Sequence, residues 1–239
     1  MGYRIIATLA AFYVKGLCGF ANTLVFTSIL SFTSANINIS PLELILGYPT
    51  NIIISWKERK SIVPKIVIPL ATMVIAGSFG GALFLKNADI TLVKIIFGML
   101  VIIVGIEMLL RELSHKKMES SKILLTIIGI LSGFLCGLYG VGALLGAYVG
   151  RTTDNMKAFK ANICTVFVIE NTFRIGLYLF YGILTVASLK RALVLAPFML
   201  IGLVAGMLSA GRISEHVVKK IVIILLIVSG IALILNNIL

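Results

Sequence analysis

The stretch VKGLCGFANT, Val14 to Thr23, interrupts an apolar run from Ile5 to Phe32 with a lysine, two glycines and an asparagine. Read as one helix, that run of 28 residues is about 42 Å long, against a hydrocarbon core of ~30 Å. Two readings fit its length. One is a steeply tilted single helix. The other is a segment broken at Gly16 to Asn22 into two half-helices of about a dozen residues, entering and leaving on the same side. Irregular backbone at membrane depth survives only where protein buries it or where it lines a cavity, because each unsatisfied amide in lipid costs several kcal/mol.

Composition makes lipid the solvent. Of 239 residues, 59% are hydrophobic and only 13% charged, more apolar side chain than one soluble core hides. Candidate spans are 41–56, 63–85, 90–110, 161–181, 192–210 and 221–239, with longer broken stretches at 5–32 and 123–149. No hydrophilic domain remains for soluble chemistry. The net charge of +12 lies in short Lys/Arg clusters between apolar segments, as membrane topology requires, so nucleic acid is not an expected partner. The first apolar run is too long for a cleavable signal core. Cys18, Cys136 and Cys164 all fall in apolar segments, which argues against a disulfide-stapled exterior.

The opening pattern comes twice. Gly16, Leu17 and Gly19 match Gly137, Leu138 and Gly140 at an offset of 121; Asn51 matches Asn171. Gly77 and Gly81 match Gly202 and Gly206, and Val93, Lys94 and Gly105 match Val218, Lys219 and Gly230, at an offset of 125. The chain therefore divides into two repeats, 1–118 and 119–239, each a broken segment followed by three helices.

Charge distribution bears on their orientation. Eight single crossings put 11 Lys/Arg inside and eight outside, barely a bias. With both broken stretches re-entrant, the second repeat is inverted and 14 lie inside against five outside. The positive-inside rule favours the inverted arrangement. The expected fold is an all-α, multi-pass membrane protein of two inverted repeats.

Paired broken segments are also the best sequence pointer to a transport site. A helix restarting after Gly19, or after Gly140 and Gly142, aims free N–H groups and a positive dipole end at the midplane, which favours an anion. Gly77/Gly81 and Gly202/Gly206 lack polar neighbours and read as helix packing. Glu170 and Arg174 stand four apart on one helix face. Charge inside a span is costly and marks function by default. Lys15 shows no local partner in the sequence, so Lys15 and Arg174 set against Glu170 leave a net +1, with Glu170 as the charge-balancing or coupling acid. Asn22, Asn51 and Asn171 are candidate donors to an anion, and Asn162, near a span end, reads as a cap or gate. The substrate-binding candidates are thus Lys15, Gly19, Asn22, Asn51, Gly140, Gly142, Asn171 and Arg174. Neither His115 nor His216 has metal-ligand spacing, and no cofactor is expected.

The Gly-rich breaks GLCGFANTL and GLYGVGALLGAYV, with FKANICTVFVIENTFRIGLYLFYGILT in the second half, resemble the sulfite exporter TauE/SafE family of membrane permeases. The first half departs from the family pattern at Ala21 and Asn22. The resemblance covers nearly the whole chain and implies an inner-membrane carrier for sulfite, organosulfonates or related small anions, not an enzyme and without a bound cofactor. Expected partners are that anion and the lipid bilayer, with homo-oligomer formation left open. A second reading rests on Cys18 and Cys136, each just before a break glycine: a transmembrane thiol–disulfide relay. They are out of register between repeats, since Cys18 matches Tyr139 and Cys136 matches Lys15, and buried cysteine usually acts as a small hydrophobe.

Overall fold

The computed structural model describes residues 2–31, 36–87, 143–153 and 155–238 continuously, with isolated positions at 95, 98–99, 102–103, 105–106, 109–110, 126, 129–134 and 136. Among the described residues every regular element is a helix: α1 Gly2–Cys18, α2 Asn22–Ser31, α3 Asn36–Lys57, a 3-10 turn Arg59–Ser61, α4 Pro64–Asn87, α5 Ala143–Thr152, α6 Met156–Phe180, α7 Val186–Ala210 and α8 Glu215–Ile238. Three of them, within Pro64–Gly81, Met156–Phe180 and Val186–Ala210, are long and apolar enough to cross a membrane.

The opening run is a helical hairpin. α1 ends at Cys18, Gly19 and Ala21 both take positive φ (87° and 69°), and α2 starts at Asn22. Two left-handed residues within three positions reverse the chain, and glycine adopts that conformation without a Cβ penalty. α2 then returns along α1. The Tyr3 hydroxyl donates to the Ile29 carbonyl at 2.5 Å, and Phe26 and Leu30 share a buried cluster with Ala7, Ala11 and Phe12. The arms are unequal, 17 and 10 residues.

Glycines set the closest helix contacts. A Cβ on Gly202 would meet the Leu9 carbonyl and the Tyr13 amide, and one on Gly206 the Tyr13 carbonyl, so α7 lies against α1 and runs the same way. A Cβ on Gly77 would meet the Ile130 carbonyl and the Phe134 amide. These are the same contacts displaced: 9 and 13 are 121 residues before 130 and 134, and 77 is 125 before 202. Met73 faces Gly129 and Gly80 faces Phe134, so residues 129–134 run parallel to α4. Without a hydrophobic drive between helices in lipid, close backbone approach at small residues supplies the packing energy.

α6 is the hub. It runs antiparallel to α3, through Ser40–Tyr178, Tyr48–Thr172 and Ser55–Thr165 hydroxyl contacts at 2.7 to 2.9 Å. α4 starts beside the start of α6: Asn162 accepts from Val63 N at 2.7 Å and donates to Ser61 O at 3.3 Å. Asn162 thus ties a loop to α6, covering an amide just before α4, where a first-turn N–H has no partner within its own helix. The ends of α1, α3 and α7 and the start of α6 surround one cavity of about 300 Å³, lined among others by Gly16, Lys57, Lys157, Lys160 and Ala210.

Several boundaries move outward from the hydropathy pattern. α3 begins at Asn36 rather than Pro41, α6 at Met156 rather than Ala161, and α7 at Val186 rather than Ala192. Hydropathy stops at the first polar residue, but a helix continues to its cap. Asn155 accepts from Ala158 N, and Thr185 and Ser188 form a reciprocal capping box. More than half of the expected helix at 90–110, and much of the second broken stretch at 123–149, lie outside the described residues.

Candidate functional site

The hairpin tip and the middle of α6 meet in a dry polar centre. Lys15 occupies the last turn of α1, Asn22 and Thr23 begin α2, Glu43 lies on α3, Ser78 on α4, and Glu170, Asn171 and Arg174 on α6. Lys15, Glu170 and Arg174 are each 1% exposed and Glu43 4%, so solvent stabilises none of these charges. Each must be balanced by the others.

Arg174 is held from every side. Its Nη1 donates to the Cys136 carbonyl at 2.7 Å and its Nη2 to Asn171 Oδ1 at 2.9 Å. Nε stands 3.4 Å from Glu170 Oε1 and Nη2 stands 3.6 Å from Glu43 Oε2. The guanidinium also lies over the Tyr178 ring at 5.8 Å, a cation–π distance. Glu170 Oε1 accepts in addition from Ser78 Oγ at 3.2 Å.

Lys15 does have partners. Its Nζ donates to Asn22 Oδ1 at 3.0 Å, Asn22 Nδ2 donates to Glu43 Oε1 at 2.7 Å, and Thr23 Oγ1 donates to the same oxygen at 2.7 Å. Among the described residues, Lys15 and Arg174 therefore face two acids, Glu43 and Glu170, and these four side chains balance formally. The net +1 expected from the sequence is corrected by Glu43. So is the picture of an empty helix end: the positive terminus of α2 meets the chain's own carboxylate at Asn22 and Thr23. Gly47, one turn along α3, leaves room for it, since a Cβ there would sit 2.8 Å from Glu43 Oε1.

Of the residues picked out in the sequence, Lys15, Asn22, Glu170, Asn171 and Arg174 come together here. Gly19 forms the hairpin turn, and its carbonyl accepts from Cys164 Sγ at 3.2 Å. Asn51 is buried on α3, with an Oδ1 that makes no hydrogen bond among the described residues. Gly140 and Gly142 lie outside the described residues. Glu43 is the participant that the sequence reading missed. The sign of it was an acid within the run ISPLELILG, which a span beginning at Pro41 leaves at the membrane border.

Among the described residues, buried side-chain oxygens without a hydrogen bond include Glu43 Oε2 and Glu170 Oε2, both on the acids around Arg174. Unsatisfied polar atoms at full burial are costly, and Arg174 Nε is another in this centre without a hydrogen bond among the described residues. Cys18, Cys136 and Cys164 are buried, and none forms a disulfide among the described residues. Cys18 Sγ donates to the Val14 and Phe20 carbonyls at 2.9 and 3.2 Å, a local helix-end contact. No group of His, Cys, Asp and Glu among the described residues is placed to hold a metal ion.

A family model described as Sulfite exporter TauE/SafE matches residues 4–233. Comparison with curated proteins and with solved structures gave no match. The matched range runs from the first turn of α1 to the last turns of α8 and takes in the hairpin, both acids and Arg174. This membrane protein accordingly belongs to the sulfite exporter TauE/SafE family.

Proposed function

We propose that the protein carries a small sulfur-containing anion, sulfite or an organosulfonate, across the cell's inner membrane, and that the anion binds at mid-membrane against Arg174. The observation that carries this reading is Arg174 itself: an always-charged, planar donor, 1% exposed, inside a helix long and apolar enough to cross a membrane. Guanidinium matches oxyanions in geometry, and membership of a family of sulfur-anion exporters supplies the substrate class.

The architecture that goes with this reading is two inverted repeats, 1–118 and 119–239. Helix directions support it. α1 and α3 run toward the face bearing Lys57, Lys157 and Lys160, whereas their counterparts, residues 129–134 and α6, run away from it; α4 and α7 are opposed in the same sense. The lysines on that face support its lying toward the cytoplasm.

The test is flux of labelled sulfite, methanesulfonate and taurine in proteoliposomes. Uptake above empty liposomes for at least one is expected; none, from protein with an intact melting transition, removes the reading.

A further inference from the structure

We propose that Glu43 is the proton-binding switch of this site: its carboxylate occupies Arg174 until it takes up a proton, so that each anion charge enters together with one proton. The inference rests on the transport reading and deepens it.

As the centre stands, the described residues crowd Arg174, although its Nε makes no hydrogen bond among them. Cys136 O, Asn171 and Glu170 hold it from the second half, and Glu43 Oε2 closes it from the first. An added anion would bring an uncompensated negative charge into a neutral, dry site, which burial forbids. One acid must give way, and the two differ. Glu170 is on Arg174's own helix, four residues away, and Ser78 holds its Oε1. It travels with the arginine.

Glu43 comes from another helix and touches Arg174 only through Oε2, at 3.6 Å and with no hydrogen bond among the described residues. Its Oε1 is held by Asn22 and Thr23, and through Asn22 it also faces Lys15. The other titratable groups facing this pair are Glu170 and Tyr178 on α6 and Cys136. Cys18 and Cys164 lie beside Lys15.

The step balances. The Glu43 carboxylate takes one proton from water and becomes a carboxyl group. Oε1 remains an acceptor for Asn22 and Thr23, while Oε2 becomes a donor. Arg174 then exchanges a carboxylate for a monovalent anion, and the Oε2–H is free to donate to that anion. The site stays neutral throughout. A dianion calls for a second proton, for which Glu170 is the remaining acid.

The experiment uses methanesulfonate, which keeps a single negative charge across the working pH range. Adding it to lightly buffered wild-type protein in detergent is expected to take up about one proton per protein. Affinity, read from methanesulfonate-induced thermal shifts, is expected to fall tenfold per pH unit over the range where the carboxyl ionises. E43Q is expected to flatten that slope, holding affinity near its low-pH value, while E170Q keeps a slope. A slope that survives in folded E43Q, or one that E170Q abolishes, overturns the assignment. Should E43Q fail to fold, the wild-type measurement still decides, because binding without proton uptake overturns the proposal. Flux without a pH slope counts against Glu43 alone, whereas absence of any sulfite or methanesulfonate flux removes the transport reading and this proposal together.

Discussion

Glu43 Oε2 lies 3.6 Å from Arg174 Nη2, and the two residues are 131 positions apart in the chain. That ion pair joins α3 to α6 and brings the charge carried by the hairpin tip into the same centre as the charge on the hub helix. It also balances the formal charges of Lys15, Arg174, Glu43 and Glu170, so on the proposed transport reading an acid must be displaced before an anion binds.

Arg174→Ala removes a charge-assisted contact worth roughly 1.5–3 kcal/mol, so anion affinity should fall about 10- to 150-fold. A merely structural pair behaves otherwise. Glu170→Gln or Arg174→Gln alone would lower the melting temperature and the double substitution would restore it. Sulfite-induced thermal shifts of these variants separate the cases, and unchanged stabilisation in a folded Arg174→Ala takes this residue out of the site.

Lys15→Met should weaken binding less than Arg174→Ala. Lys15 reaches the centre through Asn22, whereas Arg174 sits between both acids. A Lys15→Met variant with the larger loss in the same assay would relocate the anion to the hairpin tip.

Gly206→Ala should destabilise by about 1–3 kcal/mol, because its Cβ would press into the Tyr13 carbonyl of α1 and backbone cannot step aside. Gly176→Ala is the matched control. It lies within α6 with nothing within 4 Å of the added Cβ, so helix propensity makes it neutral or stabilising by up to ~1 kcal/mol. Melting temperatures in detergent check both. Equal effects would mean that α1 and α7 do not meet at these glycines.

Replacing Cys18 and Cys136 together with alanine should leave transport largely intact, since the Cys18 thiol donates to local backbone carbonyls and both residues are buried among apolar side chains. Loss of a thiol-dependent redox output in that variant, with folding preserved, would revive the relay reading.

Single cysteines at Arg59 and Asn155, in a background lacking the three native ones, should resist an impermeant maleimide applied to intact cells. A cysteine at Val186, at the far end of α7, should react. Labelling at only one of Arg59 and Asn155 is the outcome of eight single crossings and would end the inverted arrangement.

The sequence by itself determined what local chemistry can carry. Apolar content declares the membrane, since no soluble core hides so much of it. Gly19 within an overlong apolar run points to a break but leaves a tilted single helix open, a choice that the positive φ of Gly19 and Ala21 decides. The offsets of 121 and 125 that relate the glycines reappear in their three-dimensional contacts. Glu170 and Arg174 are legible because four residues on a helix is a contact distance.

Only the tertiary structure decided which of those charges meet. Glu43 looks like an ordinary border acid if the helix starts at Pro41, but α3 starts at Asn36 and carries it about two turns inward. Its partners Asn22 and Arg174 are 21 and 131 residues away, and no periodicity encodes a pairing of that separation. Hydropathy cannot find such a residue, because a buried acid is tolerated by its partners rather than by its neighbours in sequence. The sign of the site's charge therefore depends on which helices pack together, and the glycine contacts that choose those helices are made between backbones, where side-chain identity leaves no trace beyond the glycine itself.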